Sequence, residues 1–267
     1  MRIVPRMFAV VAVLAATVSV SACSASAENA LETVKESGVL TIGSSGNNAP
    51  TIFQAENGGY EGIDADWAKI IADDLGVEVE WKILDFKGVV PGVQSGQFNA
   101  AMSGLRVTEE RKEVIDFSIP YAADDAVVVY PSSMTGVNSP EDIAGKSVCV
   151  VAGSSNGEQP VTRIGTAKEV QLYPGTAEQF AGLRDGRCDV AVTGRMLAMD
   201  WINKGQGEGY TVSEGGTDCA EFAVGLPKDE PELLEAVNAA IQKGLDDGQR
   251  DAIAEKWTGG TFPTCGS

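Results

Sequence analysis

The strongest constraint on the fold is a pattern of apolar strands and amphipathic helices that runs, breaks, and starts again. "GVLTIGSSGN" reads as a strand ending in a Gly/Ser/Asn loop. In "IDADWAKIIADDLG", Ile63, Trp67, Ile70, Ile71 and Leu75 recur at helical spacing and Gly76 stops the run, which makes Trp67 a core residue. The strand "VEVEWKIL", the short helix "VVPGVQSGQ" and the strand "FNAAMSG" complete a β-α-β-α-β unit. After "FSIPYAADDAVVVY" a second unit follows. It has a Ser-capped short helix at "SPEDIAG", strands at "KSVCVVAGSS" and "EVQLY", a helix at "TAEQFAGLRDG" and a strand at "RCDVAVTG". An extended run "TDCAEFAVGLP" leads to a helix over 230–245, with Leu233, Leu234, Val237, Ile241 and Leu245 on one stripe, and to a last helix at "GQRDAIAEKW". Such alternation specifies open α/β sheets. Two similar units offer a cleft where their strand-to-helix turns converge, at loops 44–53, 84–88, 103–111, 153–157 and 193–195.

One residue in those loops is out of place. Thr108 in "GLRVTEERKE" suits a helix N-cap, and Glu109 and Glu110 suit the positive end of the dipole. Arg111 then falls where a capping box wants Glu or Gln, a mismatch of roughly 0.3–1 kcal/mol. A bound anion resolves it. Gly104 lets the backbone approach a ligand, and free N–H groups around 107–109 together with the Arg111 guanidinium can clamp a carboxylate. Local pairing of Arg111 with Glu110 or Asp116 is the structural alternative. "GSSNG" at 153–157 turns after a strand, so Ser154 and Ser155 can reach the same anion or simply form the turn; no GK[ST] follows, so it is not a P-loop. Phe53 and Phe86 lie in cleft-facing loops and are candidate ligand walls.

The chain opens with Arg2 and Arg6, an apolar stretch over 7–20, and Val20-Ser21-Ala22-Cys23. This predicts a secretory signal at 1–22, and the Cys after small residues resembles a bacterial lipobox with Cys23 lipidated. Five cysteines are present, and lipid on Cys23 leaves Cys149, Cys188, Cys219 and Cys265 for two disulfides, with three pairings open. The chain has no histidine and no CxxC, which argues against zinc and excludes a His general base or a Ser-His-Asp triad. A formal net charge of −18 argues against nucleic acid and against a polybasic hold on lipid. No cofactor or metal is expected.

Taken together, these segments resemble the extracellular solute-binding protein family of ATP-driven amino-acid importers, from about Leu40 to Trp257. "GYEGIDADWAKIIADDLG" is similar to the family's G-x-D-x-D helix. "GVQSGQFNAAMSGLRVTEERKEVIDFSIPY" is similar to its T-x-x-R…FSxPY segment, the most specific match. "KSVCVVAGSS" with "LRDGRCDVAV" is similar to its second-lobe strands.

The resemblance implies a two-lobed, type II clamshell whose chain crosses the hinge twice. Residues 23–36 would be a lipid-anchored tether, 37–123 and 223–267 lobe 1, and 124–222 lobe 2. Arg111 would bind the ligand's α-carboxylate, with Gly104 and Thr108 beside it. Ser154 and Ser155 would close on the same group, and Asn48, Phe53 and Phe86 would meet the ligand side chain. It implies a monomeric binding protein, not an enzyme, that delivers a small carboxylated solute to a membrane permease. An exported dehydratase on the same scaffold is the rival; a receptor-type sensor would need an attached signalling domain.

The chain departs from the family where an α-ammonium is usually held. Those positions are Arg106 and Gly194, and Arg195 follows. Like charges at 4 Å repel by roughly 4 kcal/mol at an effective dielectric near 20. Another acid such as Glu221 must substitute, or the ligand is more anionic or lacks an ammonium (a dicarboxylate, for example), or Arg106 and Arg195 face solvent. The family plan also makes Cys149–Cys188 and Cys219–Cys265 the expected disulfides. Each closes a loop of ~40 residues, nominally about 4 kcal/mol in the chain-entropy view.

Overall fold

The computed structural model describes residues 29–152, 154–173 and 176–265. The expected signal at 1–22, Cys23 and Gly153 lie outside these. In chain order the first part runs α1 (Ala30–Ser37), β1 (Val39–Ser44), β2 (Asn47–Asn48), β3 (Ile52–Gln54), β4 (Tyr60–Glu61), α2 (Ile63–Leu75), β5 (Glu78–Ile83), α3 (Val89–Gln94), β6 (Ala100–Ala101), α4 (Glu109–Lys112) and β7 (Asp116–Phe117). The middle comprises β8 (Ala122–Pro131), β9 (Ser147–Val151), α5 (Glu158–Ile164), β10 (Glu169–Tyr173), α6 (Thr176–Arg184), β11 (Val190–Gly194), α7 (Arg195–Asn203), β12 (Tyr210–Val212) and β13 (Thr217–Phe222). β14 (Gly225–Leu226), α8 (Pro231–Asp246) and α9 (Gln249–Thr258) complete it.

The strands form two main sheets, ordered β5-β1-β6-β14-β7 and β10-β9-β11-β8-β12, with β13 also paired to β8. β9 runs parallel to both β10 and β11, whereas β8 is antiparallel to its neighbours. A small antiparallel sheet, β2-β3-β4, hangs from the first lobe.

The central strands of the two main sheets are covered on both faces and are largely apolar, whereas the edge strands β5 and β10 carry exposed residues. On one side of the first sheet, Leu40 and Ile42 pack with Trp67 and Ile71 of α2 and Val237 and Ile241 of α8. On the other, Ala101 and Ile115 pack against Val89 and Val93 of α3. In the second lobe β8 splits its side chains by the two-residue strand period: Ala126 and Val128 join Val148 and Val161 on one face, and Val127 and Val129 join Phe180 and Trp201 on the other.

The chain passes between lobes twice, at 118–121 and at 223–224. These segments bond to each other: Ser118 N donates to Val224 O and Tyr121 N to Phe222 O, each at 3.0 Å. The second sheet takes in Ala122 and Ala123, which pair with Phe222 and Glu221. The expected tether at 23–36 is corrected over its latter part. Ala30–Ser37 is a helix capped by the Asn29 side chain, and its Val34 is fully buried in the first core. The disulfides are Cys149–Cys188 and Cys219–Cys265. The first ties β9 to the start of β11; the second ties β13 to the tail that follows α9. No helix among the described residues is long and apolar enough to cross a membrane.

Candidate functional site

Between the lobes lies a cleft of about 460 Å3, in the size range of small-molecule sites. Of the described residues that line it, three are charged: Arg106, Arg111 and Asp124.

Arg111 enters from the first lobe. The Thr108 hydroxyl caps the four-residue α4 by accepting from Arg111 N at 3.3 Å. The Arg111 guanidinium lies 5.6 Å from the centre of the Phe86 ring and donates from Nη1 to Arg106 O at 2.8 Å. Thr108 itself is exposed and lies outside the cleft lining. The Val107 N–H is spent on Glu221 O at 3.0 Å, so the expected cluster of free amides is smaller than the sequence suggests.

Arg106 is 8 % exposed. Its Nη1 reaches Ser155 O and its Nη2 reaches Asp124 O, both at 3.3 Å. These are long bonds to main-chain carbonyls of the second lobe. Among the described residues, no carboxylate pairs with either guanidinium within 4.0 Å. Burial pulls both arginines below their usual pKa; nearby acids oppose this, Asp124 foremost for Arg106 and Glu110 for Arg111, while the charge of Arg106 adds to the fall at Arg111. Guanidinium remains charged in any case.

Arg195, the other suspected cleft cation, is corrected. Its Nε and Nη2 each meet an Asp125 carboxylate oxygen at 2.7 Å, and it donates further to Ser213 O and Glu214 O. It does not line the cleft. Glu221 is corrected as well: it is exposed on β13 and also absent from the lining. The cleft acid is Asp124. Gly194 lines nothing itself but makes room for it, since a Cβ there would collide with Asp124 Oδ2 and crowd the Asn156 amide. Asp124 Oδ1 accepts from Met196 N at 3.0 Å. Burial raises its pKa to about 7, against the pull of that bond and of Arg106.

Gly104 lines the cleft with φ +58, and its N–H is held at 2.7 Å by the buried Asp64 carboxylate, which also accepts from Tyr121 Oη at 2.7 Å. Ser154 lines the cleft, but its hydroxyl is committed, donating to Val151 O at 2.6 Å and accepting from Glu158 N at 2.9 Å. Ser155 lines it with no partner for its hydroxyl among the described residues. Asn48 and Phe86 also face it, whereas Phe53 does not. Phe53 packs edge-on against Trp257, 5.7 Å between ring centres, with Lys204 Nζ 5.9 Å from its ring.

Asp124 was the residue that sequence reasoning missed. Its signal is present in "YAADDAVVVY": two adjacent acids in an otherwise apolar strand require partners on both faces.

Three comparisons bear on this architecture. The chain is similar to the L-cystine-binding protein TcyJ of Escherichia coli (strain K12), 30% identical over 233 residues that cover 87% of each chain. It is similar to a cyclohexadienyl dehydratase of Pseudomonas aeruginosa, 26% identical over 205 residues, 76% of each. Among solved structures it is similar to an ancestral cationic amino acid solute binding protein, with a TM-score of 0.76, 30% identity, and coverage of 85% of this chain and 99% of that one. The family described as bacterial extracellular solute-binding proteins, family 3, matches residues 40–260, and with these relatives it establishes that the chain belongs to that family.

Proposed function

We infer that this protein is the solute-capturing component of an ATP-driven importer, and that it holds an amino acid or a close relative by its carboxylate between the lobes. The observation that carries this is a pair of guanidiniums without ionic partners in an interlobe cleft. Two unpaired cations in a confined site call for an anion. Arg111 grips the α-carboxylate in a two-pronged fashion, stacked under Phe86, with Gly104 close by. Ser155 adds a hydroxyl from the second lobe when it closes, and Ser154 keeps that turn in shape. Asn48 faces the solute side chain. Asp124 takes the ammonium, doing what an acid at 194 or at Glu221 would otherwise do.

Closure around the solute shifts the lobes toward a form that a membrane permease recognises. Export through a signal at 1–22 and lipid on Cys23 would keep a monomer at the outer face of the membrane. Intact mass of the mature N-terminus tests the lipid directly.

The function is tested by mass spectrometry of whatever solute co-purifies and by calorimetry across a panel of amino acids. Arg111→Ala should weaken binding by about 2–5 kcal/mol while leaving the circular dichroism spectrum unchanged. Retained affinity in that variant overturns the assignment.

One observation favours a second reading. A buried cleft carboxylate with a pKa of about 7 is what acid–base catalysis uses, and one relative is a dehydratase. That role would fall on Asp124 rather than Glu221. Release of water from a cyclohexadienyl acid incubated with the purified protein would favour it.

A further inference from the structure

The geometry points to a solute with two acid groups: Arg111 takes the α-carboxylate, Arg106 takes a second acid on the side chain, and the protein binds an acidic amino acid such as L-glutamate or L-aspartate. This rests on the reading of the cleft as an amino-acid site and names the class that site selects.

The first argument is charge. Among the described lining residues, two cations face one acid, Asp124. An amino acid with a neutral side chain brings one carboxylate and one ammonium, and leaves a guanidinium uncompensated in a site from which water is displaced. One with a cationic side chain adds a like charge. An acidic amino acid balances all three protein groups.

The second argument is anchorage. The two guanidiniums are anchored by different groups. Arg111 is held on the first-lobe side, over the Phe86 ring. Arg106 reaches across to main-chain carbonyls of Ser155 and Asp124 in the second lobe. Two long carbonyl bonds leave three of its five N–H donors for a ligand. A cation this deeply buried, with Asp124 in the same cleft but no carboxylate bonded to it, is costly unless the bound state repays it.

The third argument is the contrast with Arg195. That guanidinium is saturated by Asp125 and two carbonyls. The fold can therefore neutralise an arginine next to β8, and at Arg106 it does not.

The test is calorimetric titration of the full mature protein with L-glutamate, L-aspartate, L-glutamine, L-arginine and glutarate. L-Glutamate or L-aspartate should bind tightest, at least about 30-fold ahead of L-glutamine, the range for a buried charge partner. Arg106→Gln should erase that preference by weakening L-glutamate at least about 30-fold more than L-glutamine, with an unchanged circular dichroism spectrum reporting a folded variant. Tighter binding of L-arginine or L-glutamine by the wild type overturns the proposal and leaves the amino-acid reading standing. Equal loss of every ligand in Arg106→Gln also overturns it, since both arginines then serve one carboxylate. Glutarate binding as well as L-glutamate overturns the place given to the ammonium. Failure of every compound to bind overturns the amino-acid reading itself.

Discussion

Arg195 and Arg106 stand on either side of the same two acids and are treated in opposite ways. Asp124 and Asp125 are neighbours on β8, so the strand period sends their side chains to opposite sides. On one side Arg195 locks onto Asp125 with paired 2.7 Å bonds and two further carbonyl contacts. On the other, Arg106 and Asp124 share the cleft without forming an ion pair, and Arg106 settles for two carbonyls at 3.3 Å. A saturated pair holds a structure together. An unsaturated one keeps its donors for something that arrives later.

The sharpest way to break this comparison is to remove each cation in turn. Arg195→Leu leaves Asp125 buried without its partner and should cost about 3–5 kcal/mol of stability, seen as a lowered urea midpoint. Solute affinity in the folded fraction should be unchanged. Arg111→Ala should do the reverse, with binding lost by about 2–5 kcal/mol in calorimetry and the stability of the empty protein altered by no more than about 1 kcal/mol. If the two variants behave alike, the distinction between the corners is void.

The acids sharpen it through pH. Burial raises Asp124 from 3.8 to about 7, so the folded protein keeps a proton that the unfolded chain loses. Unfolding free energy from this group is therefore largest at low pH and falls as pH rises from about 4 through 7. Asp124→Asn should flatten that part of a melting-temperature profile, leaving the slope due to Asp64, which burial raises in the same way. A bound ammonium would favour the ionised carboxylate, so solute binding below pH 7 should release protons, measurable in buffers of different ionisation enthalpy. The smallest effects belong to the serines. Ser154→Ala should cost about 1 kcal/mol of stability through its turn bonds, whereas Ser155→Ala should leave stability alone and weaken binding by several-fold.

Much of this was legible in the sequence, and what was not has physical causes. The apolar runs at β1, β9 and β11 and the stripes of α2 and α8 announce themselves because both faces of each sheet are covered at those central strands. Helix α7 begins directly at Arg195, with no polar cap and a cation in its first turn, so no start signal marks it. Helix α5 contains Pro160, Val161 and Thr162, which weaken any helical pattern. Arg111 betrayed itself by standing at the wrong end of a dipole. Arg106 and Arg195 carried the same letter, and nothing local separates them. Their difference is made by Asp124 and Asp125, whose two faces become distinct only when β8 is laid beside β11 and α7.

The bond between Cys219 and Cys265 changes what the crossing strands can do. Two adjacent strands by themselves can bend and can also wring about their common axis. The tail beyond α9, packed with the first lobe through its helix, is fastened to β13 of the second, so the halves are covalently joined at a third point. For a protein read as shutting on its cargo, the wringing mode is restrained and the swing is left. The two walls then meet in one alignment each time, which a recognition scheme built on two separately anchored guanidiniums requires.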